Sequence, residues 1–101
     1  MKRKIPITIP QAQINHFCRQ NHIRKLSLFG SILRDDFRDD SDIDVLVEFE
    51  PGHVPGLRFI RMERELSELF ARKVDLNTPK FLSRFFRDQV LNEAEVLYAE
   101  E

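Results

Sequence analysis

Two aspartates, Asp42 and Asp44, stand one residue apart where a polar turn meets the apolar stretch Ile43 to Phe49. Side chains alternate across a β-strand, so residues at i and i+2 project from the same face. Two carboxylates held this close repel each other, and without a partner one of them is expected to take up a proton. A divalent metal removes that conflict, and oxygen ligands of this kind suit Mg²⁺, which often adds phosphate oxygens to its shell.

A Gly-Ser pair, Gly30 and Ser31, follows the apolar segment Lys25 to Phe29. Glycine after a strand lets a bulky anion approach the backbone, and the first N–H groups of a following helix hold phosphate readily. The Ser31 hydroxyl can add a hydrogen bond. A phosphate cradle beside a carboxylate pair indicates nucleotide and metal chemistry.

Asp75 is a candidate third carboxylate, in a segment where Val74 and Leu76 take one face of a strand and Asp75 the other. If that strand lies next to Ile43 to Phe49, three carboxylates could bracket two metal ions about 3.5–4 Å apart and stabilise an in-line displacement. This is the arrangement of phosphoryl or nucleotidyl transfer. The alternative is an exposed carboxylate paired with a neighbouring cation.

Other polar side chains have simpler explanations. Asp42 could be a strand-entry cap, and Arg34 and Arg38 either contact phosphates or neutralise nearby aspartates. The histidines share no metal-ligand spacing, and we expect surface or loop positions for them: His16, His22 and His53. The remaining aspartates of the turn are expected to be solvated: Asp35, Asp36, Asp39 and Asp40.

Apolar spacing and turn residues predict the elements that position these groups. Helices are expected over Gln11 to Asn21, Ser31 to about Phe37, Leu57 to Arg72, and from Pro79 onward with Thr78 as cap and a break near Arg87. Strands are expected over Lys25 to Phe29, Ile43 to Phe49 and Lys73 to Leu76, and Val96 to Tyr98 is a strand or a helical tail. We predict a loose arm over residues 1–8 and one domain over 9–101. The fold class is α/β, with a small mixed sheet of three to four strands flanked by helices.

The bulk properties exclude several classes of protein. The chain has 101 residues, 42% of them apolar, and a formal net charge of −1, which argues against general attraction to nucleic acid or to membranes. The single cysteine, Cys18, allows no internal disulfide, and no apolar signal core follows the first residues, so we expect a cytoplasmic location. No stretch is long and apolar enough for a membrane span.

Taken together, Gly30-Ser31, Arg34, Ser41-Asp42-Ile43-Asp44 and Asp75 closely resemble the minimal nucleotidyltransferases of the polymerase-beta-like superfamily. The resemblance implies ATP and two Mg²⁺ ions as ligands, with Asp42 and Asp44 as metal ligands. It also implies that Asp75 is the third carboxylate, placed to help activate an acceptor hydroxyl.

The same resemblance implies nucleotide contacts from Gly30, Ser31, Arg34 and Ser41. Members of this family often act as antitoxins beside a HEPN-type ribonuclease toxin, adding AMP to a tyrosine of that toxin. The sequence departs from the family at Asp35, where many relatives have glycine, and at Phe37, where a small residue is frequent.

We therefore expect a Mg²⁺-dependent transferase that moves AMP from ATP to a hydroxyl of a partner protein, since so short a chain leaves no length for a domain that holds another acceptor. We expect the C-terminal phenylalanines to lie mainly in the core, although some could form an apolar patch for a partner: Phe59, Phe70, Phe81, Phe85 and Phe86. One alternative function is a non-catalytic antitoxin that neutralises its partner by complex formation. Another is nucleotidyl transfer to RNA, which the near-neutral charge disfavours. The sequence leaves open the base, the acceptor residue, and whether the chain works alone or in a homo- or hetero-oligomer.

Overall fold

The computed structural model describes residues 5–53 and 55–100, which form a four-stranded mixed sheet with the strand order β3-β2-β1-β4. β1 is antiparallel to both β2 and β4, whereas β2 and β3 are parallel. The strands are β1 Ile23–Phe29, β2 Ile43–Phe49, β3 Val74–Asn77 and β4 Glu95–Ala99. The predicted α/β class with a small mixed sheet is confirmed.

β2 lies in the interior of this sheet, between β1 and β3. Its residues Ile43, Val45, Leu46 and Val47 are all buried, which explains why apolar side chains occur on both faces of the strand. The strand that bears Asp44 is therefore held by hydrogen bonds on both sides. A carboxylate at its start cannot shift without disturbing two ladders.

Within the described residues, three α-helices accompany the sheet: α1 Gln11–Gln20, α2 Arg58–Phe70 and α3 Arg87–Glu93. α1 and α2 each bury an apolar stripe, and these stripes join one cluster with the strands. The buried helix residues are Ile14, Phe17, Cys18, Met62 and Leu66. Burial raises the pKa of the Cys18 thiol to about 12, so this cysteine stays protonated and serves as a packing residue.

Two predicted helices are shorter than expected. The segment after β1 forms only a 3₁₀ turn over Gly30–Leu33, because Arg34 is extended (φ −121°, ψ 165°) and a polar turn follows. The segment after β3 forms a 3₁₀ turn over Pro79–Phe81, with no side-chain cap from Thr78, and α3 begins only at Arg87.

Two further predictions concern the two ends of the chain. Glu95–Ala99 is a strand paired with β1, so the alternative of a helical tail is wrong. Of the arm expected over residues 1–8, residues 1–4 lie outside the described part, and Ile5 and Ile7 pack against the core. Within residues 5–53 and 55–100, no helix has the length and apolar character needed to cross a bilayer.

Candidate active site

The parallel pairing of β2 with β3 brings the predicted carboxylates together. Asp44 and Asp75 are direct register partners across the two strands. Asp42 lies just before β2, where Ile43 N donates to Lys73 O at 2.9 Å and fixes the start of the ladder. The structure therefore places Asp42, Asp44 and Asp75 at one end of the β2/β3 pair, which meets the condition that the sequence left open, namely that the strand of Asp75 lies next to β2.

The carboxylates at this end of the sheet repel one another, and the nearby cations compensate their charge only weakly. Burial raises the pKa of the Asp44 carboxyl from 3.8 to about 6, and the negative charges of Asp75 and Asp42 and a hydrogen bond with Asp75 act in the same direction. Arg34 opposes this shift in pKa without cancelling it. Lys73 Nζ lies 3.7 Å from Asp42 Oδ2, but both side chains are solvent-exposed, so this ion pair contributes little. The cluster therefore favours an added cation.

Gly30 forms the floor beneath Asp44. Its φ of +76° lies in the left-handed region, and a β-carbon at this position would overlap Asp44 Oδ2. Both facts require glycine here, since any other residue would be strained in this conformation and would also displace the carboxylate. The predicted phosphate-binding glycine thus lies in direct contact with a predicted metal ligand.

Ser31 and Arg34 follow Gly30 in the 3₁₀ turn, which Arg34 N closes by donating to Ser31 O at 2.9 Å. Arg34 is exposed and acts electrostatically on Asp44. A cleft of about 410 Å³ adjoins Arg34 and is lined by Gly30, Leu33, Arg34, Gln89 and Glu93. The last two belong to α3 and were not among the predicted site residues, because nothing in the sequence indicates that α3 folds back over the Gly-Ser turn.

The turn before β2 is closed by its own polar groups. Ser41 Oγ accepts a hydrogen bond from Arg38 N at 2.9 Å, and Ser41 N donates to Arg38 O at 3.0 Å. The Ser41 hydroxyl is thus engaged in the turn, and its predicted contact with the nucleotide stays a prediction. The four solvated aspartates of this turn are exposed, as expected.

Arg72 ties this turn to β3. Its Nη1 donates to Arg38 O at 2.8 Å and to Ser41 O at 3.2 Å, while its guanidinium lies 4.6 Å from the centre of the Phe37 ring. The Phe37 ring therefore packs against this cation. Because Arg72 precedes β3 and the turn precedes β2, the contact positions Asp42 relative to Asp75.

α2 holds the outer edge of β3. Leu76 N donates to Glu63 Oε2 at 2.9 Å, and Val74 N donates to Ser67 Oγ at 3.0 Å. These bonds satisfy the backbone groups that an edge strand otherwise leaves unpaired. They flank Asp75 on both sides and fix its position in the strand.

The nine phenylalanines divide into packed and exposed members. Phe59 and Phe70 pack against the core. In contrast, Phe81, Phe85 and Phe86 expose 66%, 87% and 47% of their surface. The expectation that these five residues lie mainly in the core is therefore wrong for three of them, and the expectation that some lie on the surface is confirmed.

Comparison with known proteins identifies the family and the fold. Residues 12–101 match the family described as Polymerase beta, Nucleotidyltransferase. Protein adenylyltransferase MntA of Thermococcus cleftensis is 38% identical over 72 residues, covering 70% of this chain and 71% of that protein.

Two solved structures share the fold. A toxin-antitoxin crystallised with AMP-PNP superposes with a TM-score of 0.72 at 21% identity, over 92% of this chain and 76% of that chain. A complex of the tri-AMPylated Shewanella oneidensis HEPN toxin with its MNT antitoxin superposes with a TM-score of 0.64 at 22% identity, over 89% and 70% of the two chains. The fold, the match over residues 12–101 and the adenylyltransferase relative together show that this chain belongs to the polymerase-beta nucleotidyltransferase family.

Proposed function

We propose that this chain transfers AMP from ATP to a tyrosine hydroxyl of a HEPN-type partner protein, and that it acts as the antitoxin of that partner. The observation that carries the proposal is the pairing of Asp44 with Asp75 across parallel strands, with Gly30 directly beneath Asp44. The arrangement joins an acidic cluster to a glycine turn that an anion can approach closely.

The acidic cluster fits Mg²⁺. Burial raises the pKa of Asp44 to about 6, and the negative charges of Asp75 and Asp42 act in the same direction, so a cation at this end of β2 would relieve the repulsion. We assign Asp42, Asp44 and Asp75 as the residues that hold the metal, and we expect two ions. When bound, Mg²⁺ would neutralise carboxylates and triphosphate together and act as a Lewis acid toward the phosphoryl oxygens.

The triphosphate would lie along the Gly-Ser turn. Gly30 lets the turn pass directly against Asp44, Ser31 offers a hydroxyl, and Arg34 offers a cation at the rim of the 410 Å³ cleft. We assign Ser41 as a further nucleotide contact, which requires its hydroxyl to exchange its bond with Arg38 N.

In the proposed reaction the phenol oxygen of the acceptor attacks the α-phosphorus of ATP. The bond from that phosphorus to the bridging oxygen breaks, and pyrophosphate leaves. Asp75, which is exposed at the mouth of the cluster, accepts the phenol proton. The products are an AMP-tyrosine phosphodiester, pyrophosphate and one proton.

The relatives support a protein acceptor. One bears the name protein adenylyltransferase, and one solved neighbour holds an AMPylated HEPN toxin beside its MNT antitoxin. We place the reaction in the cytoplasm, where ATP is abundant and a reduced thiol such as that of Cys18 is normal.

The test uses α-labelled ATP, Mg²⁺ and a HEPN-type protein as the acceptor. We expect label on the partner, a mass increase of one AMP, and loss of both when the acceptor tyrosine is changed to phenylalanine. Label from γ-labelled ATP would instead indicate a kinase. If the unmutated chain leaves the HEPN-type protein unlabelled, the proposed transfer is wrong, and label on RNA instead would support the RNA alternative.

The exposed phenylalanines favour one second candidate, an antitoxin that neutralises its partner by binding alone. Phe81, Phe85 and Phe86 offer apolar surface that a protein partner would cover. A chain carrying both Asp42→Asn and Asp44→Asn decides between the two. Full neutralisation by that variant supports the binding module, and its failure supports the enzyme.

A further inference from the structure

His22, Glu50 and His53 form a second cluster of ligand-type side chains, at the opposite end of β2 from the carboxylates. One nitrogen from each imidazole and one carboxylate oxygen all lie within 4.8 Å of one another. The two imidazole rings are stacked, with centroids 3.9 Å apart and planes inclined by 12°. Sequence spacing does not reveal this group, because its members share no regular interval.

The backbone fixes the three residues relative to one another. His53 N donates to Glu50 O at 3.1 Å across a turn whose inner residues are Pro51 and Gly52, and Gly52 has a φ of +84°. Proline followed by a glycine at positive φ is the signature of a type II turn. Glu50 and His53 are therefore held at its two ends.

The antiparallel β1/β2 ladder brings in the third member. Ile23 pairs with Phe49, and one step further Glu50 N donates to His22 O at 2.9 Å. His22 has a φ of 56°, a left-handed conformation that costs energy for any residue with a β-carbon. His22, which faces Glu50, therefore adopts a strained backbone conformation.

We propose that His22, Glu50 and His53 bind one divalent transition-metal ion of the Zn²⁺ type. Two imidazole nitrogens and a carboxylate oxygen suit Zn²⁺ and poorly suit Mg²⁺, which prefers oxygen ligands alone. Bonds of about 2.0–2.2 Å place tetrahedral ligand atoms about 3.4 Å apart. A metal must lie in the plane of each ring that binds it, so the two stacked imidazoles have to turn out of their parallel arrangement, which their exposed positions allow.

Room for a fourth ligand lies beside the two imidazoles. A cavity of about 40 Å³ is lined by residues that include Asn21, His22, His53 and Arg58. One water needs about 10–15 Å³ of such space, so a water can complete the coordination. The Arg58 guanidinium lies 3.5 Å from Asn21 Oδ1, which is its hydrogen-bond acceptor there.

The site is separate from the carboxylates. The seven residues of β2 lie between Asp42 and Glu50, so eight steps of about 3.3 Å separate the two by about 26 Å. A metal here would therefore clamp the loop that follows β2 onto the turn between α1 and β1, without taking part in nucleotidyl transfer. Its effect is on stability, and it can be measured without any substrate.

The test is calorimetric titration of Zn²⁺ into the full chain with excess Mg²⁺ present, together with visible absorption of Co²⁺ as a probe of geometry. We expect one equivalent of Zn²⁺, tetrahedral Co²⁺ bands, and a melting temperature about 10 °C higher at Zn²⁺ concentrations near 100 times Kd. His53→Ala, Glu50→Gln and His22→Asn should each weaken Zn²⁺ binding by more than about tenfold. Asparagine is chosen at position 22 because it tolerates positive φ.

His16→Ala is the matched control, since His16 lies on α1 outside the cluster and its loss should leave Zn²⁺ binding unchanged. The variant with both Asp42→Asn and Asp44→Asn should also bind Zn²⁺ normally. Absence of Zn²⁺ binding by the unmutated chain would overturn the proposal. So would binding that survives His22→Asn combined with His53→Ala, or binding that is lost with the aspartates.

Discussion

The two ends of β2 present ligand-type side chains in two different ways. At its start, the parallel ladder with β3 places Asp44 against Asp75. At its end, the antiparallel ladder with β1 places Glu50 against His22. The first cluster consists only of carboxylates and the second mainly of imidazoles, so the two ends favour hard and borderline cations respectively.

The two ends of β2 also destabilise the folded protein in different ways. Like charges converge at the start of β2, where the pKa of Asp44 is raised to about 6. At the end of β2, the cost lies in the backbone, in the positive φ of His22. Repulsion between carboxylates therefore destabilises the fold at the start of β2, and backbone strain destabilises it at the end of β2. Separate substitutions can remove each effect.

Among the variants, Asp44→Asn should have the largest effect on the carboxylate site. We expect the rate of AMP transfer to fall by about three orders of magnitude or more, because several kcal/mol of charge stabilisation depend on the metal that Asp44 helps hold. The melting temperature in metal-free buffer should rise, because the substitution removes the charge that Asp75 and Asp42 oppose. Initial rates with labelled ATP and thermal melts check both.

The matched control is Asp40→Asn, in the exposed part of the turn. It should leave both the transfer rate and the melting temperature unchanged. An Asp44→Asn protein that transfers AMP normally would remove Asp44 from the site.

Gly30→Ala should damage the same end through sterics. The positive φ alone costs about 1–2 kcal/mol for alanine, and the new β-carbon also overlaps Asp44 Oδ2. Gly56→Ala isolates the first cost, since Gly56 has a φ of +58° and a β-carbon added there would have nothing within 4 Å. Chemical denaturation and AMP-PNP binding should therefore show a greater loss for Gly30→Ala. Equal losses for the two variants would contradict the contact with Asp44.

Glu63→Ala tests whether α2 positions Asp75. Loss of the acceptor for Leu76 N should lower the free energy of unfolding by about 1–2 kcal/mol and reduce the transfer rate. Glu65→Ala is the control, because Glu65 is an exposed residue of the same helix. If the transfer rate stays normal while stability falls, the hydrogen bond from Leu76 N to Glu63 does not position Asp75 for the reaction.

The pH dependence should have opposite signs for stability and for metal binding. The folded chain holds the Asp44 proton up to about pH 6, against 3.8 for an ordinary aspartate, so it binds more protons than the unfolded chain between these values. Stability of the metal-free protein should therefore rise as pH falls through this window. Mg²⁺ affinity should rise as pH increases through about 6, because the ion competes with that proton.

Thermal melts of the unmutated chain and of Asp44→Asn, with and without Mg²⁺, measure both effects. The difference in melting temperature between the two proteins in metal-free buffer should shrink as pH falls from 7 to 5. A difference that is constant with pH would show that Asp44 does not titrate in this range.

The smallest effects concern two residues other than glycine at positive φ, Ala71 after α2 (φ 53°) and His22 before β1 (φ 56°). Ala71→Gly should stabilise the chain by about 1 kcal/mol, since glycine at a helix end removes the strain. His22→Gly should stabilise it similarly in metal-free buffer but lose the gain in melting temperature that Zn²⁺ provides. Chemical denaturation with and without Zn²⁺ compares them, and an equal response of both variants to Zn²⁺ would argue against the histidine site.

The carboxylate end could be predicted from sequence because each of its parts is local. Alternation along Ile43–Phe49 and Val74–Asn77 fixes which way Asp44 and Asp75 face, and a helix between two strands favours their parallel pairing. The adjacency itself needed the structure. So did Arg72, whose bonds to Arg38 and Ser41 no spacing rule describes.

The histidine end could not be predicted in this way. His22 and Glu50 meet only through the register of an antiparallel pair, and that register follows from packing across the whole sheet. The same limit explains why two helices were predicted to be longer than they are. Local spacing does not reveal where tertiary contacts hold the chain extended, as at Arg34.

The most direct test of the central claim is a crystal structure of this chain with Mn²⁺ in place of Mg²⁺ and with AMP-PNP. We predict anomalous density between the carboxylates of Asp42, Asp44 and Asp75, with the triphosphate against Gly30 and Ser31. Bound nucleotide with no metal density at these carboxylates, or with the triphosphate away from the Gly-Ser turn, would contradict the account.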